Sequence, residues 1–373
     1  MNAGSRGTLS VVVGGGPAGS MAAILLAQAG HAVTLLEKER GPHHKVCGEF
    51  LSREAVDYLL RIGISAHDLG TASICSLRVS SGSKTAQTVL PFRALSLSRY
   101  VLDAALLERA KDCGCEVRRG SCVKNLVRDD SGWHVGFSDG VSLRAQAVFL
   151  ATGKHDLHGW KRGRGRQNDL IGFKMHWRLP CARIEELRES MELFLFHGGY
   201  GGLSLIERDA ANFCFVVRRS VLRALGGWDE LFAALLSGND RLRYYLNDAQ
   251  AMWPKPLAIS PIPYGYLAHD MHGLWRVGDQ AAVIPSFTGD GISIALHSAT
   301  LAAQMFLAGK SVEEYSSALR AQLSGGMRLA TWLSRAMVTQ AGPAVAMPAL
   351  SLLPKAMQWI AASTRIPARA LRV

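Results

Sequence analysis

The stretch Leu9–Gly19, with the sequence LSVVVGGGPAG, decides how the N-terminal part of this chain folds. Its first five residues are mostly apolar and β-branched, which predicts a buried parallel strand. Gly14, Gly16 and Gly19 then form a G-x-G-x-x-G turn, and Ser20–Gly30 carries alanine and leucine at helical spacing. A glycine turn that opens a helix brings free N–H groups and the positive end of the helix dipole to a phosphate. The stretch therefore predicts a strand–turn–helix unit that binds a pyrophosphate.

The segment that follows completes a nucleotide-binding pattern. His31–Leu36 is typical of a second strand, and it ends on Glu37. Glu37 lies 37 − 14 = 23 residues after Gly14, close to the roughly 20 expected for an acid that binds ribose hydroxyls. Such an acid favours a ribose without a 2′-phosphate, as in FAD or NAD. The alternative is a glycine-rich turn that binds nothing, and the strand, helix and acid together disfavour it.

Composition and charge set the broad class of protein. The chain has 373 residues, of which 48% are hydrophobic, so it can bury two cores and is not a disordered protein. Seven cysteines, an odd number, do not suit a disulfide framework. The net charge of +12 permits an anionic partner, although no nucleic-acid recognition module accompanies it. Without an export signal or about 18 unbroken apolar residues, we expect a cytoplasmic protein.

A second diagnostic segment lies far downstream. Leu274–Asp279 predicts a short strand that ends in Gly278-Asp279, and Thr288–Gly291 opens an apolar helix over Ile292–Leu307. An aspartate after a strand can accept a hydrogen bond from a sugar-chain hydroxyl. The glycine turn at the helix start suits an electron-rich ring edge.

Together, the two segments resemble the FAD-dependent oxidoreductases of the glutathione-reductase-like class, and within it the aromatic-hydroxylase and geranylgeranyl-reductase-like branch. The resemblance covers Leu9 to about Ala308 and implies a non-covalent FAD, with NAD(P)H as a candidate electron donor. It also implies an arginine-led helix near the cofactor from Ser98, although a plain surface helix remains the alternative for that stretch. The cofactor-binding residues that it implies are Gly14, Gly16, Pro17, Ala18, Gly19, Glu37, Lys38, Arg99, Val123, Thr152, Gly153, Gly278, Asp279, Pro285, Gly289, Asp290, Gly291 and Ile292.

Lys45–Ser52, KVCGEFLS, resembles the cysteine–glycine segment that passes over the flavin in geranylgeranyl-reductase-like proteins. Cys47 and Glu49 are therefore our catalytic candidates, because a thiol or a carboxyl group there could supply a proton. The alternatives are an inert buried thiol at Cys47 and, at Glu49, a flavin-positioning acid or the cap of the helix that follows.

Two motif absences bear on the reaction. The aromatic hydroxylases usually carry Asp-Gly near the second flavin strand, whereas this chain has Thr152-Gly153-Lys154-His155. The Trp-x-Trp-x-Ile-Pro motif of flavin halogenases is also absent, so halogenation is not expected.

The middle of the chain alternates between apolar and polar residues, which predicts antiparallel strands. The family resemblance implies that this inserted sheet forms the floor of a substrate pocket, and its aromatic content suits a small hydrophobic substrate. The candidate lining residues, chosen on residue type, are Phe173, His176, Phe194, Phe196 and Phe215.

Two basic stretches remain. Lys161–Arg166 places four cations in six residues of a loop that we expect to be flexible, either as solvated surface or as a grip for an anion. After Glu314 the chain has no acid and seven cations. That segment is either a helical layer on the FAD domain or a surface that docks on anionic lipid. A carrier protein is the other partner we consider. No histidine or cysteine spacing predicts a metal site.

The sequence therefore predicts an α/β protein: a Rossmann-like FAD-binding domain (8–168 and 268–309), an inserted antiparallel-sheet substrate domain (169–267) and a basic C-terminal helical segment (310–373). The first hypothesis for its function is C=C reduction, or a related hydride transfer, on an isoprenoid- or polyketide-like molecule. The second is a monooxygenase that hydroxylates a phenolic or polyketide ring. The third is a flavin-binding, membrane-associated protein without turnover.

Overall fold

The computed structural model describes residues 9–138 and 140–371, so the predicted domain ends at Thr8 and Val373 lie outside the described residues. Its strands are β1 Ser10–Val13, β2 Val33–Glu37, β3 Phe50–Leu51, β4 Ala72–Ser81, β5 Lys84–Ser96, β6 Glu116–Arg119, β7 Val123–Asp129, β8 Gly132–Phe137, β9 Ser142–Ala145, β10 Ala147–Leu150, β11 Leu170–Arg178, β12 Glu189–Phe196, β13 Gly199–Leu205, β14 Ala211–Arg218, β15 Gln250–Ala251, β16 Leu257–Ile259, β17 Tyr266–Leu267, β18 Trp275–Arg276 and β19 Ala282–Val283. Its α-helices are α1 Pro17–Gln28, α2 Arg53–Arg61, α3 Arg99–Asp112, α4 Cys181–Leu187, α5 Arg219–Leu225, α6 Trp228–Gly238, α7 Asp240–Leu246, α8 Gly291–Leu307, α9 Val312–Met337, α10 Gly342–Leu352 and α11 Pro354–Ser363.

A five-stranded parallel sheet forms the centre of the first lobe, in the order β18-β10-β1-β2-β6. Its central strands β1, β2 and β10 are wholly buried, as their apolar runs predict. Helices α1 and α8 pack on it with an apolar core from both segments of the predicted domain. The carboxyl ends of β1, β10 and β18 meet at one edge, where α/β sheets bind ligands. The Rossmann-like prediction is thereby confirmed.

The second lobe is built on a nine-stranded sheet, in the order β15-β11-β14-β13-β12-β4-β5-β3, with β16 beside β11. The sheet is wider than the predicted segment 169–267, because β3, β4 and β5 come from the N-terminal part of the chain. It is also mixed, since β12 pairs with β4 in parallel and the other pairs are antiparallel.

Helices α6 and α7 cover one face of this sheet. The prediction of one helix over Trp228–Ala249 is wrong at Asn239, which takes an extended backbone conformation and separates the two helices. The Asn239 side chain accepts a hydrogen bond from Leu242 N at 3.0 Å and so caps α7.

The C-terminal segment forms a third layer. The long helix α9 begins with a capping box between Ser311 and Glu314. Helices α10 and α11 then pack against β4 and β5 of the wide sheet. Within residues 9–138 and 140–371, the structure contains no helix long and apolar enough to cross a membrane.

Candidate functional site

A cavity of about 1,100 Å³ lies between the parallel sheet, the wide sheet and helices α10 and α11. This exceeds the usual size of a site for one small molecule. Its first part, the cofactor end, is lined by the glycine turn, Glu37, Arg99 and the turns after β10 and β18. Its second part, the apolar chamber, is lined by β4, β5, β12 and residues 332–365. The two parts are continuous, so ligands in them would meet.

The glycine turn is packed too closely for side chains. A Cβ on Gly19 would lie 1.8 Å from Gly14 O, and a Cβ on Gly14 would lie 2.4 Å from Ala151 O. At Gly16 a Cβ would come within 3.1 Å of a terminal nitrogen of Arg99. Helix α1 starts at Pro17, so its N-terminus faces the cavity. This cradle fits the pyrophosphate of a dinucleotide.

Glu37 organises the glycine turn. Its carboxylate accepts hydrogen bonds from Gly15 N at 2.8 Å and from Glu39 N at 3.0 Å, and the residue is buried. Each carboxylate oxygen keeps a second lone pair, so the acid can also accept from a ribose hydroxyl. Its ribose-binding role stays a prediction.

Arg99 stands beside the glycine turn, held by two acidic contacts on its own helix. Its Nε and a terminal nitrogen donate to the two oxygens of Asp103 at 2.6 and 2.8 Å. Lys45 donates to the same carboxylate at 2.9 Å. Burial alone would raise the pKa of Asp103, but Arg99 and Lys45 hold it below its usual value. The site thus gains a fixed cation at the expected pyrophosphate position, and the surface-helix alternative for Ser98–Leu106 does not hold.

Most other predicted cofactor residues line the cavity: Gly14, Gly16, Pro17, Ala18, Glu37, Lys38, Val123, Thr152, Gly153, Gly278, Asp279, Gly289, Gly291 and Ile292. Gly278 has a φ of 61°, and a Cβ there would lie 2.9 Å from Ala18 Cβ. Gly19, Pro285 and Asp290 do not line the cavity. Gly19 instead sets the approach of α1 to β1, and Pro285 and Asp290 stand behind the loop that opens α8.

Cys47 and Glu49 adopt different environments although they are two residues apart. Cys47 lines the cavity, and its sulfur accepts a hydrogen bond from Glu49 N at 3.3 Å. Glu49 is fully buried with a left-handed backbone, φ 58°. The helix-cap alternative for Glu49 is wrong, because the Ser52 hydroxyl caps α2 by accepting from Ala55 N.

The Glu49 carboxylate sits in a charge cluster that sequence reasoning missed. It is bonded to the Lys174 ammonium, to His176 Nε2 at 2.8 Å and to Arg99 N at 2.8 Å. Burial favours the neutral acid, but Lys174 and His176 outweigh it and lower the pKa of Glu49. Glu49 is therefore a carboxylate that accepts hydrogen bonds, which suits positioning of the Cys47 segment better than proton donation. Lys174 and His176 share one face of β11, an alternation visible in the sequence.

The same cluster offers three ligand atoms of the kind that zinc binds. Atoms of His44, Glu49 and His176 lie within 4.8 Å of one another. The Lys174 ammonium already occupies the carboxylate, and a second cation there would meet its repulsion. His44 packs on Trp253 and Tyr100, and burial, then His176 and Lys174, lower its pKa to about 4. We assign no metal to these residues.

The aromatic residues chosen as pocket lining mostly point the other way. Phe173 and Phe194 belong to the core beneath α6 and α7, Phe196 packs against that core, and His176 contacts Glu49. Of the five candidates, only Phe215 lines the cavity. Adjacent residues of a strand face opposite sides, so the neighbours of Phe194, Leu193 and Leu195, line the cavity instead. The prediction followed residue type rather than strand parity.

The loop that opens α8 is fixed from the C-terminal segment. Arg365 donates to Asp290 Oδ1 at 2.9 Å and to Glu54 at 3.3 Å, and it stacks on Phe92 at 3.9 Å. The second oxygen of Asp290 is buried without a hydrogen-bond partner. Burial raises the pKa of Asp290 to about 7, although Arg365 opposes this shift. Arg365 was missed because a lone arginine in a basic helix carries no pattern.

Comparison with known proteins supports the cofactor assignment. Residues 8–151 match the FAD binding domain family. The chain is 27% identical to the menaquinone reductase of Mycolicibacterium smegmatis over 329 residues, 83% of this chain and 78% of the relative. It is 27% identical to the rifampicin monooxygenase of Streptomyces venezuelae over 189 residues, 49% of this chain and 37% of the relative.

Solved structures show the same fold at lower identity. A geranylgeranyl bacteriochlorophyll reductase-like protein from Thermoplasma acidophilum aligns with a TM-score of 0.74 and 20% identity, covering 98% of this chain and 94% of that one. The myxobacterial chondrochloren halogenase aligns with a TM-score of 0.75 and 19% identity, with the same coverage of the two chains. These likenesses confirm the fold and the resemblance on which the FAD assignment depends.

Proposed function

Because this chain is an FAD-dependent oxidoreductase of the geranylgeranyl-reductase-like and aromatic-hydroxylase-like class, we propose that it reduces a carbon–carbon double bond in an isoprenoid-type substrate. The observation that carries this proposal is the apolar chamber beyond the cofactor end. Among its described lining residues from β4, β5, β12 and 332–365, Arg365 alone is charged. That charge is already engaged by Asp290 and Glu54. A long hydrocarbon chain suits such a wall, since each buried CH₂ contributes about 0.8 kcal/mol.

The names of the relatives agree with this substrate class. The mycobacterial relatives are named menaquinone reductases, and menaquinone is a quinone with an isoprenoid tail. The share of each chain that aligns includes both the cofactor end and most of the chamber. The rifampicin monooxygenase covers a shorter part, and it supports the second candidate, oxygenation of a ring.

The cofactor would supply the hydride when bound in its reduced form, and the chain's own residues would do the rest. The glycine turn, Glu37 and Arg99 would hold its phosphates and ribose, and Asp279 its sugar chain. The chamber would hold the substrate tail and exclude water. Cys47 is our candidate proton donor to the second carbon of the double bond, because its thiol lines the cavity where Glu49 N fixes it.

Anaerobic turnover with mass analysis tests the reaction. The FAD-loaded protein is reduced with dithionite and mixed without air with menaquinone or geranylgeraniol. We expect flavin reoxidation and a product heavier by two hydrogens. A product heavier by one oxygen, formed only in air, would replace the proposal by the monooxygenase. No reoxidation by either route would leave a flavin-binding protein.

Two cysteine variants test the proton donor. We expect Cys47→Ala to keep FAD and to lower turnover by about 10²-fold or more, the usual contribution of a positioned acid. Cys75→Ala is the matched control, since Cys75 is half-buried and does not line the cavity. Full turnover in Cys47→Ala would remove the thiol from the mechanism.

The chamber opens beside an exposed apolar rim, and we propose that this rim rests on an anionic lipid surface. Trp332, Val345 and Leu353 line the cavity and yet are 67%, 69% and 62% exposed. Trp359 on α11 is 60% exposed, and the same helices belong to the segment without acids. An apolar rim with basic neighbours matches the chemistry of a bilayer with anionic headgroups.

Vesicle pelleting tests this docking. We expect the protein to pellet with phosphatidylglycerol vesicles at low salt and much less with phosphatidylcholine vesicles. Trp332→Gln with Trp359→Gln should release it, whereas Leu60→Gln with Val127→Gln, at exposed apolar sites elsewhere, should not. Equal pelleting of both double variants would overturn the assignment of this rim.

A further inference from the structure

A second cavity, the basic pocket, lies on the other side of the parallel sheet's edge and has a volume of about 770 Å³. The loop 161–166, the β17–β18 connection and helix α9 form its walls. Its charged and aromatic lining residues are Lys161, Arg164, Arg166, Tyr266, His269, Asp270, His272, Arg276, Arg320 and Arg328. Six cations therefore face one carboxylate, and that carboxylate pairs with His272 at 3.0 Å.

The loop is a fixed wall rather than the flexible segment that the sequence suggests. Arg162, whose side chain is 3% exposed, donates to Asp156 at 2.7 Å, to Lys154 O at 2.7 Å and to Asp279 O at 3.0 Å. Gly165 packs so closely on Pro263 that a Cβ would lie 2.4 Å from its carbonyl. The cations of the loop are therefore held in place before any ligand arrives.

The charges of this wall are not neutralised within the protein. Among residues 9–138 and 140–371, Arg164, Arg166, Arg320 and Arg328 form neither an ion pair nor a side-chain hydrogen bond, and the four are exposed. Surface arginines in a protein of mixed charge commonly find an acid nearby. Here they converge on a concavity instead.

Arg276 gives an independent indication of a ligand. It is 3% exposed, and its Nε is buried without a hydrogen-bond partner. Its terminal nitrogens reach only Trp160 O and Gln280 at 3.3 to 3.4 Å. Burying a cation without a counter-charge is costly, so an anion in the pocket would satisfy this group.

We propose that the basic pocket binds a small molecule that carries two or more phosphate groups. Guanidinium groups bind phosphate oxygens in pairs, and several of them facing one concavity suit more than one phosphate. The pocket's depth, with Tyr266 and two histidines in its wall, fits a small organic phosphate better than a flat nucleic-acid or acidic-protein surface. Two sources share this chemistry, a nicotinamide dinucleotide phosphate and a prenyl diphosphate.

The position of the pocket connects it to the flavin site. Arg276 lines the basic pocket, and Gly278 and Asp279, two and three residues later, line the cofactor end. Gln280 donates to Gly153 O at 2.9 Å and to His155 O at 3.0 Å, next to the same cavity. A ligand on Arg276 would therefore act on the turn that carries Asp279 and not touch the reacting atoms.

Calorimetric titration of the FAD-saturated protein tests the proposal independently of any catalytic activity. The ligands are inorganic pyrophosphate, NADPH and geranylgeranyl diphosphate, with sulfate for comparison. We expect pyrophosphate to bind more tightly than sulfate. Arg164→Ala/Arg320→Ala/Arg328→Ala should weaken it by at least about tenfold, since one charge-assisted hydrogen bond contributes roughly that factor.

Two further variants keep the test decisive. Arg178→Ala/Arg223→Ala/Lys255→Ala removes the same charge from exposed positions of the other lobe and should bind as the unmodified protein does. Arg276→Gln should weaken binding while the flavin spectrum stays unchanged. Loss of NADPH binding in the triple variant would identify the dinucleotide, and loss of geranylgeranyl diphosphate binding the prenyl source. No pyrophosphate binding, or equal weakening in both triple variants, would overturn the proposal.

Discussion

Two buried acids border the flavin cavity, and they are in opposite states. Glu49 has donors from Lys174, His176 and Arg99 N around its carboxylate, so its pKa is lowered despite complete burial. Asp290 has one arginine on one oxygen and no partner on the other, and its pKa rises to about 7. The comparison shows that burial alone does not fix the charge of an acid. The number of donors that reach both oxygens decides it.

The difference has a structural origin. Glu49 meets a strand, β11, whose Lys174 and His176 point to it from one face of the sheet. Asp290 caps the start of α8 and meets a single side chain, Arg365, that arrives from the C-terminal segment. The first acid is part of the junction between the two lobes, whereas the second depends on the layer that closes the chamber.

The largest effect is expected for Glu49→Gln. It leaves the Lys174 ammonium buried without a counter-charge, which costs about 3 to 5 kcal/mol of unfolding free energy. Urea unfolding at saturating FAD measures this. The double variant Glu49→Gln/Lys174→Met is the control, and it should recover part of the loss because no unpaired charge remains. A double variant less stable than the single one would contradict the account of this cluster.

Asp290→Asn should show its effect through pH. The folded state raises the pKa of this acid from 3.8 to about 7, so the folded chain holds the proton while the unfolded chain releases it. The unmodified protein therefore loses stability as the pH rises through this window, by about 4 kcal/mol at most. The asparagine cannot ionise, so the variant should gain relative stability between about pH 4 and pH 8.

Unfolding curves of Asp290→Asn and Asp57→Asn at several pH values make that comparison. Asp57 is half exposed and has only a long contact with Arg53, so its variant should track the unmodified protein. A flat difference for Asp290→Asn would mean that this acid is ionised in the folded state at all these pH values.

Arg365→Met sharpens the contrast, with an expected loss of about 1 to 2 kcal/mol. This is smaller than for a fully buried pair because Asp290 can take up a proton when its cation is gone. The midpoint of the pH dependence should then move above about 7. Arg369→Met, at an exposed position of the same segment, should change neither quantity. An unmoved midpoint would show that Arg365 does not set the state of Asp290.

The smallest effect at neutral pH is expected for His44→Phe, within about 0.5 kcal/mol. Burial lowers the pKa of His44 to about 4, so the ring is already neutral, and phenylalanine can keep the contacts with Tyr100 and Trp253. Below about pH 6.5 the unmodified protein should become the less stable of the two, because only its unfolded chain binds the extra proton. Thermal unfolding at two pH values measures this, and a large loss at neutral pH would assign His44 a charge.

The sequence predicted those parts of the site whose chemistry is local. The strand–glycine turn–helix unit at Leu9–Gly30 and the start of α8 need only nearby residues, and both were placed correctly. Arg99 and Asp103 are one helical turn apart, so their pairing was also visible in principle.

Contacts between distant segments could not be predicted in this way. Lys174 meets Glu49 across 125 residues, and Arg365 meets Asp290 across 75. Strand parity adds a second limit, since a shift by one residue reverses the face on which an aromatic side chain lies. For this reason Phe194 was assigned to the pocket and Leu193 and Leu195 were not.

The contact of Arg365 with Glu54 joins residues 311 positions apart, and this has a consequence for the order of folding. Closing so long a loop costs more chain entropy than closing the short turns of the N-terminal lobe. The glycine cradle can therefore form while the chamber is still without its C-terminal wall. The same wall has few internal contacts to hold it, so it should be the first part to open when the native protein fluctuates. Opening there exposes the chamber and leaves the cradle intact, which separates exchange of an apolar substrate from loss of the cofactor.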